Sequence, residues 1–306
     1  MDDLIKVPLS ADAEQHLIRH LDNRINALQT GLKTLFQTNL PSWRRIYEAQ
    51  PMEKTRSFPW QNASNLVVPL AGIHCDTLHA RVMAALFKTH PLWVAGIVGR
   101  FDAESDELRV AWEEFLSYVG IEPDELDLYH VEEAWTAETI RYGTSTVKTP
   151  QVEEYEDRCI PAGDGSGSFE IIRETKYKGP QPCKIAFEDF LVPPSAANLA
   201  KADIKVHRIR MQKHELMQRR FSQFFDPVKV DAIIKSPDRT SPDFVQQQRE
   251  RDSGARTSND GFAEWDVFES WLAWREPNGK SNKSPKITIW YHKKSRTILR
   301  AFFNLY

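Results

Sequence analysis

The first strong pattern in the chain is a line of apolar residues, spaced alternately by three and four positions, within residues 10–38. These positions are Ile18, Leu21, Ile25, Leu28, Leu32 and Leu35. The spacing predicts an amphipathic helix with a heptad stripe, capped by Asp12 with Gln15 and ended by Pro41. Such a stripe packs either against the helix's own domain or against an identical subunit, and the pattern leaves both interpretations open.

A second helix is predicted by the mostly apolar stretch from Leu70 to about Phe87. Pro69 suits the first turn of a helix, where the missing N–H leaves no hydrogen bond unmade. We therefore expect a capped helix in the protein core. Replacing Phe58 or Trp60 in the preceding corner by alanine is expected to destabilise the fold by roughly 3–5 kcal/mol if these side chains are buried.

Residues 102–138 form an acidic region, in which 13 Asp and Glu residues face a single basic residue, Arg109. The apolar residues between them repeat at helical spacing and predict a buried stripe. These residues are Trp112, Phe115, Leu116, Val119, Leu128, Val131 and Trp135. No His cluster or rigid Gly-bearing loop accompanies the carboxylates, so we interpret them as a solvated face rather than as a metal or acid–base site.

Strand patterns begin at Thr144. Alternating apolar positions on both sides of the Gly/Ser turn at 163–168 predict a long β-hairpin. Two further strands, Trp265–Arg275 and Lys286–Trp290, flank an Asn-Gly turn signal. Residues 236–261, rich in Ser, Pro, Asp and Gln, are expected to form a mobile loop.

These elements predict an α+β fold with N-terminal helices, an acidic helical region, a long β-hairpin and a C-terminal strand pair. We divide the chain into a mainly helical region, residues 1–140, and a mixed region, residues 141–306. With 306 residues and 41% hydrophobic composition, the chain is long and apolar enough to bury a sizeable core.

Composition narrows the classes of function. A net charge of −3 argues against a surface that binds nucleic acid throughout. Cys75, Cys159 and Cys183 lack the spacing of a disulfide framework or zinc site, so we expect reduced, buried thiols. The chain has no apolar run long enough for a membrane span and none of the sequence signatures of a catalytic or nucleotide-binding site. We expect no catalytic residues, no metal, no cofactor and no enzymatic activity.

One basic segment stands out against the acidic region. Its cationic residues are Lys201, Lys205, Arg208, Arg210, Lys213, Arg219 and Arg220, against only Asp203 and Glu215. They are interpreted either as solvated or intersubunit ion-pairing residues, or as contacts to DNA phosphates, which require cations on one face.

The segment FPWQNASNLVVPL occupies residues 58–70. It is similar to a signature near the N-terminus of portal proteins, the head-to-tail connectors of tailed bacteriophages, and is the first of three blocks that resemble this family. The residues that carry this match are Phe58, Pro59, Trp60, Asn62, Ser64, Asn65 and Pro69. Downstream, Asp76, Arg81 and His90-Pro91-Leu92-Trp93 extend it.

The second block runs from Phe187 to Ala196 and continues through Asp203, Val206-His207-Arg208 and Glu215-Leu216. The third contains Phe268–Leu272, Ile289–His292 and Ile298–Arg300, and looks like a strand pair of the same family. The three blocks occur in the family's order and extend from about residue 40 to the end of the chain.

The resemblance implies a structural subunit with a portal-like wing domain. Portal subunits form a ring, usually of twelve copies, at one capsid vertex, and double-stranded DNA passes through it during packaging and ejection. The implied partners are further copies of the chain, the major capsid protein, the terminase packaging motor and the head-completion or tail adaptor proteins. The implied location is the virion, after assembly in the host cytoplasm.

No long helix follows the third block in this sequence, although the family pattern continues with a stem. We therefore expect the N-terminal, wing-bearing portion of a longer portal, or a portal split between two chains. Two alternatives remain open at this stage. One is a non-enzymatic virion adaptor or scaffold that docks through the heptad stripe, and the other is a sequence-independent DNA-binding module.

Overall fold

The computed structural model describes residues 6–50, 60, 68–89, 91–99, 102–122, 126–161, 169–196, 198–235, 264–275 and 284–304. These residues combine helices with antiparallel sheets, so the chain has the α+β fold predicted from its sequence. Contacts divide it into two units, unit 1 (Met1–Ser42 with Glu188–Tyr306) and unit 2 (Trp43–Phe187). The helical and mixed regions predicted from the sequence each contribute residues to both units.

Unit 1 is built around a five-stranded antiparallel sheet with the order β5-β6-β7-β8-β9. The strands are β5 (Phe190–Leu191), β6 (Ile204–Gln212), β7 (Glu264–Ala273), β8 (Lys286–His292) and β9 (Thr297–Phe303). The predicted strand pair corresponds to β7 and β8, with Trp271 opposite Thr288. The predicted turn around Asn278 and the predicted mobile loop 236–261 lie outside the described residues.

Helices cover both faces of this sheet. Helix α1 (Ala11–Gly31) contributes its apolar stripe to one core cluster, which includes Phe268 and Tyr291. Helices α6 (Lys213–Phe221) and α7 (Pro227–Lys235) contribute to a second cluster, which includes Val267 and Trp290. Because side chains alternate between the two faces of a strand, neighbouring residues of β7 and β8 enter different clusters.

The stripe of α1 therefore packs against its own unit, which is the first of the two predicted interpretations. Leu21 and Ile25 have no exposed surface, and Leu17, outside the predicted stripe, is equally buried. The N-cap is Ser10, whose Oγ accepts a hydrogen bond from the Ala13 N–H at 3.2 Å, rather than the predicted Asp12 with Gln15.

The prediction that Pro41 ends the N-terminal helix was wrong. Helix α2 spans Leu40–Tyr47, so Pro41 lies in its first turn, where a missing N–H is tolerated. A π-helical turn at Leu35–Asn39 comes directly before it, and the Leu40 N–H donates to the Leu35 carbonyl. This wider turn lets the chain pass the proline without a break in helical structure.

Unit 2 contains three further helices, α3 (Leu70–Phe87), α4 (Ala103–Ile121) and α5 (Leu128–Tyr142). Strand β1 (Thr146–Lys148) pairs with β4 (Cys183–Ile185). The predicted long hairpin is confirmed as β2 (Gln151–Pro161) paired with β3 (Phe169–Pro180), with a register shift at Glu154/Tyr155. Its turn residues lie outside the described part of the chain.

Candidate subunit interface

Polar residues of the second family-like block meet inside unit 1. Asp189 accepts a hydrogen bond from the Arg208 Nε at 2.7 Å, and the Arg210 guanidinium approaches the same carboxylate at 3.4 Å. The side chains of Arg208 and Asp189 are only 13% and 18% exposed. A charge-assisted pair of this kind fixes the connection before β5 against strand β6.

Other block residues also serve the packing of the sheet. His207 Nδ1 lies 3.9 Å from the buried carboxylate of Glu269, which joins the second block to the third across β6 and β7. Glu215 accepts the backbone N–H of Gln212 at 2.7 Å and completes a capping box at the start of α6. Arg300 donates to the Phe224 carbonyl at 3.0 Å. These side chains hold the fold together.

Among the candidate DNA-contact residues, the four arginines interact within unit 1. Arg208 and Arg210 pair with Asp189, and Arg220 pairs with Asp231 at 2.9 Å. Arg219 lies 4.8 Å above the Trp290 ring, as in a cation–π contact, and burial lowers the pKa of its guanidinium.

The three candidate lysines differ from these arginines. Lys201 and Lys213 are exposed, Lys205 is half-buried, and none of the three forms an ion pair with a described residue. Lys201 lies in a helical turn before β6, Lys205 near the start of that strand, and Lys213 at the start of α6. The structure therefore places the seven candidate residues in two settings, three available ammonium groups and four engaged guanidinium groups.

Most of the first block lies outside the described residues, namely Phe58, Pro59, Asn62, Ser64 and Asn65. Trp60 is described and is 66% exposed, so its expected burial is not found within the single chain. Pro69 directly precedes α3, in agreement with its predicted place at a helix start.

Helix α3 is not the core helix that the sequence predicted. Leu70, Ile73, Leu78 and Leu86 are all about half exposed, and Met83 is its one large buried apolar side chain. The expectation failed because apolar character was taken as evidence of burial within the same chain, whereas contacts with α5 cover only part of this helix.

The predicted buried stripe of the acidic region is also wrong for the single chain. On α4, Trp112 and Phe115 are more than half exposed and touch each other edge to face. The buried positions are instead Glu113, Ser117 and Gly120, which form the opposite face. Segment 92–95 covers that face, since backbone N–H groups there donate to the Glu113 carboxylate at 2.9 Å and to the Ser117 hydroxyl at 3.1 Å.

Gly120 explains why this segment lies so close to α4. A Cβ at this position would overlap the indole of Trp93. The apolar face of α4, which the sequence assigned to the core, therefore points away from segment 92–95. The spacing of apolar residues cannot distinguish a buried apolar face from an exposed one, because it identifies the apolar side of a helix but not what lies against it.

The β2–β3 hairpin adds a further exposed apolar surface. Phe169 and Ile171 are 71% and 67% exposed, and Cys159, opposite Ile171, is exposed as well. A two-stranded ribbon is marginally stable alone in water. The exposure of Cys159 and Cys183 corrects the expectation that the thiols are buried.

Sequence reasoning missed a polar cleft of about 460 Å³ in unit 1, lined by residues of α1, β7 and the β8–β9 turn. Asp22 accepts a hydrogen bond from the Tyr291 hydroxyl at 2.7 Å and pairs with Arg296 at 3.2 Å. Lys293 donates to Gln29 at 2.6 Å, and burial lowers the pKa of this ammonium. The basic run Lys293-Lys294-Ser295-Arg296 was the available signal in the sequence.

Within the described ranges, no group of three or more His, Cys, Asp or Glu side chains is arranged to hold a metal ion. No described helix is both long enough and apolar enough to cross a membrane. No protein-family model matches this sequence, and no curated protein sequence matches it.

Proposed function

We propose that this chain is a structural, non-enzymatic subunit of a phage portal and forms its wing-bearing portion. In this role, copies of the chain form a ring, of about twelve subunits by the family resemblance, at one capsid vertex. Double-stranded DNA passes through the ring during packaging and ejection. The capsid protein, the terminase motor and the tail or head-completion proteins dock around it in the virion, after assembly in the host cytoplasm.

The observation that carries this proposal is the way in which the second and third blocks combine. They are well separated in the sequence, yet their strands are adjacent in one sheet. Their polar residues, including Asp189, Arg208, His207 and Glu269, form packing contacts around that sheet. A shared sequence signature made of such residues reflects a shared scaffold rather than shared chemistry, as expected for a structural protein.

Exposed apolar side chains in unit 2 give independent support for self-association. Large apolar residues on α3, α4 and the β2–β3 hairpin remain in solvent in the single chain. Soluble monomers rarely expose extended apolar patches of more than a few hundred Å². A ring subunit buries such surfaces against its neighbours.

The two alternative functions receive less support. The adaptor hypothesis relied on the heptad stripe of α1, which is occupied by the sheet of unit 1. The DNA-binding hypothesis relied on seven basic residues, of which Arg208, Arg210 and Arg220 are engaged by acidic partners within unit 1. A DNA-binding module would reveal itself by an affinity that falls steeply as salt is raised.

Electron microscopy of the purified chain, averaged along the symmetry axis, tests the proposal. We expect a closed ring of about twelve copies around an opening wide enough for duplex DNA. A chain that remains monomeric across the concentrations accessible in solution and on the grid would contradict ring formation by these residues.

A further inference from the structure

Helices α6 and α7 of unit 1 expose large apolar side chains. Among its described residues, the large apolar side chains that remain exposed are Leu199, Phe221 and Val228. Phe221 ends α6, Val228 is the second residue of α7, and the two helices pack together across a short turn. The side chains of Phe221 and Val228, 72% and 77% exposed, define the Phe221 corner.

Contacts between α6, α7 and the turn that joins them hold the backbone around this corner. The Phe225 N–H donates to the Arg219 carbonyl at 3.1 Å, and the Phe225 side chain is buried. Arg220 binds Asp231 at 3.0 Å across the two helices and lies 5.4 Å from the Phe221 ring. Aromatic residues and arginine are enriched at protein interfaces, so an exposed phenylalanine beside an arginine is a suitable anchor.

Unit 2 offers a groove of matching chemistry at the start of α4. The groove measures about 370 Å³, and segment 95–97 forms its other wall. Leu108 and Trp112 supply an apolar floor that is more than half exposed, and Asp102 and Glu104 supply an acidic rim. Arg109 is engaged by Asp106 and Glu113, so the one cation of α4 is already neutralised.

Charge distinguishes this groove from the exposed apolar face of helix α3. Helix α4 carries five acidic residues against one arginine, whereas α6 and α7 together carry five Lys and Arg against two acidic residues. Arg220 and Lys229 pair with Asp231 and Glu14. Lys213 and Lys235 remain exposed and supply the available positive charge. Helix α3 is balanced, with Asp76 against Arg81. Complementary charge orients partners and disfavours wrong pairings, so it favours α4 as the surface opposite the Phe221 corner.

We propose that the Phe221 corner of one copy docks into the α4 groove of the next copy. The inference rests on the ring proposed above and identifies one of its contacts. The contact is heterologous, because it joins unit 1 of one chain to unit 2 of another. Each chain supplies both a groove and a corner, so every copy in a ring can use its corner on one neighbour and its groove on the other.

Disulfide trapping gives the most direct test. In a background with Cys75, Cys159 and Cys183 replaced by serine, the double variant Phe221→Cys with Leu108→Cys is oxidised under mild conditions. We expect a ladder of covalent oligomers on a denaturing gel, because each chain contributes both halves of the contact. The two single-cysteine variants are the matched controls, and we expect at most covalent dimers from them.

Substitution gives a second test. We expect Phe221→Ser and Trp112→Ser each to raise the concentration needed for ring assembly by at least tenfold. Both side chains are exposed, so thermal unfolding of the dissociated chains should stay close to wild type. Leu199→Ser, at an exposed apolar position outside the corner, is the control and should assemble normally.

The outcomes separate this inference from the proposed function. Wild-type rings combined with no ladder and normal assembly of Phe221→Ser would overturn the docking contact and leave the portal proposal intact. A wild-type chain that forms no ring, together with no ladder from the double variant, would overturn both the docking contact and ring formation by this chain. A ladder from the double variant together with the assembly defects would support the contact.

Discussion

Unit 1 and unit 2 bury their apolar residues very differently. All the buried apolar residues in the described chain except Met83 and Ile185 belong to unit 1. The large exposed apolar residues show the opposite distribution, since all except Leu199, Phe221 and Val228 belong to unit 2. Burial of apolar surface is the main favourable contribution to folding, about 25 cal/mol per Å², and within the described residues the hydrophobic core clusters belong to unit 1.

Polar contacts take a larger share of the packing in unit 2. Glu113 and Ser117 occupy the covered face of α4, and Glu138 is the buried position of α5. Such contacts specify geometry but contribute little net free energy, about 1 kcal/mol per hydrogen bond. Within its described residues, unit 2 therefore owes its shape largely to polar contacts and leaves most of its large apolar side chains exposed in the single chain.

A pair of matched truncations tests the difference in apolar burial between the two units. Leu21→Ala opens a cavity beneath α1, where the side chain is fully buried, and we expect a loss of about 2–5 kcal/mol in the free energy of unfolding. Leu108→Ala removes a side chain on α4 that is 55% exposed. For this variant we expect a change within about 0.5 kcal/mol, as for most surface substitutions. Denaturant unfolding at a concentration where the chain is monomeric measures both.

Equal losses from the two variants would show that the α4 face is covered within the single chain. A small loss from Leu21→Ala would show instead that the stripe of α1 does not form the core of unit 1. Either result would remove the distinction between the two units.

Glu138 tests whether polar contacts hold unit 2 together. Its carboxylate accepts hydrogen bonds from the Ser145 hydroxyl at 2.7 Å and from the Phe187 N–H at 3.3 Å, and it pairs with Lys184 at 2.9 Å. We expect Glu138→Gln to destabilise the contact between α5 and β4 by roughly 2–3 kcal/mol, because a mostly buried cation loses its counter-charge. Hydrogen exchange at the backbone amides of β4 measures the effect.

The exposed residue Glu114 provides the control, since Glu114→Gln should leave exchange at β4 unchanged. Unchanged exchange in Glu138→Gln itself would mean that the three contacts add nothing to the stability of unit 2. The two units would then differ in apolar burial alone.

The Tyr291→Phe substitution tests how much one polar contact contributes to the stability of unit 1. The buried phenol donates to Asp22 at 2.7 Å, and burial together with this hydrogen bond raises its pKa. Because Asp22 keeps Arg296 as a partner, we expect Tyr291→Phe to lower the free energy of unfolding by only about 1–2 kcal/mol. Denaturant unfolding checks the value, and a loss as large as that of Leu21→Ala would contradict the dominance of apolar packing.

Local periodicity was enough to predict much of the fold. The α1 stripe, the β2–β3 hairpin and the β7–β8 pair depend on residues close together in sequence, and the structure contains all three. The pairing of β6 with β7 depends on contacts across a long connection. No local pattern states which strands become neighbours, so the five-stranded sheet was not predicted.

The sequence correctly predicted which face of the helix is buried for α1 of unit 1, but not for α4 of unit 2. The stripe of α1 and the aromatic stripe of α4 look alike in sequence, since both repeat at helical spacing. Leu21 is buried by a sheet of the same chain, whereas Trp112 is left exposed. An apolar pattern identifies an apolar surface but not whether the same chain or another molecule packs against it. The candidate interface was therefore found only in the structure.

The smallest expected effect concerns the pH dependence of unit 1. Burial, followed by the nearby charges of Arg24 and His16, lowers the pKa of His20 below its ordinary value. The unfolded chain therefore binds a proton more readily, and stability should fall as pH drops through about 6.5 and below. We expect His20→Gln to flatten the melting temperature between pH 7 and pH 5 by a few degrees relative to wild type, with His130→Gln as the control. His130 lies in unit 2, and its pKa is raised by Asp127, so this control should not reduce the acid sensitivity of unit 1. An identical pH profile for wild type and His20→Gln would show that the charge on His20 does not influence the core beneath α1.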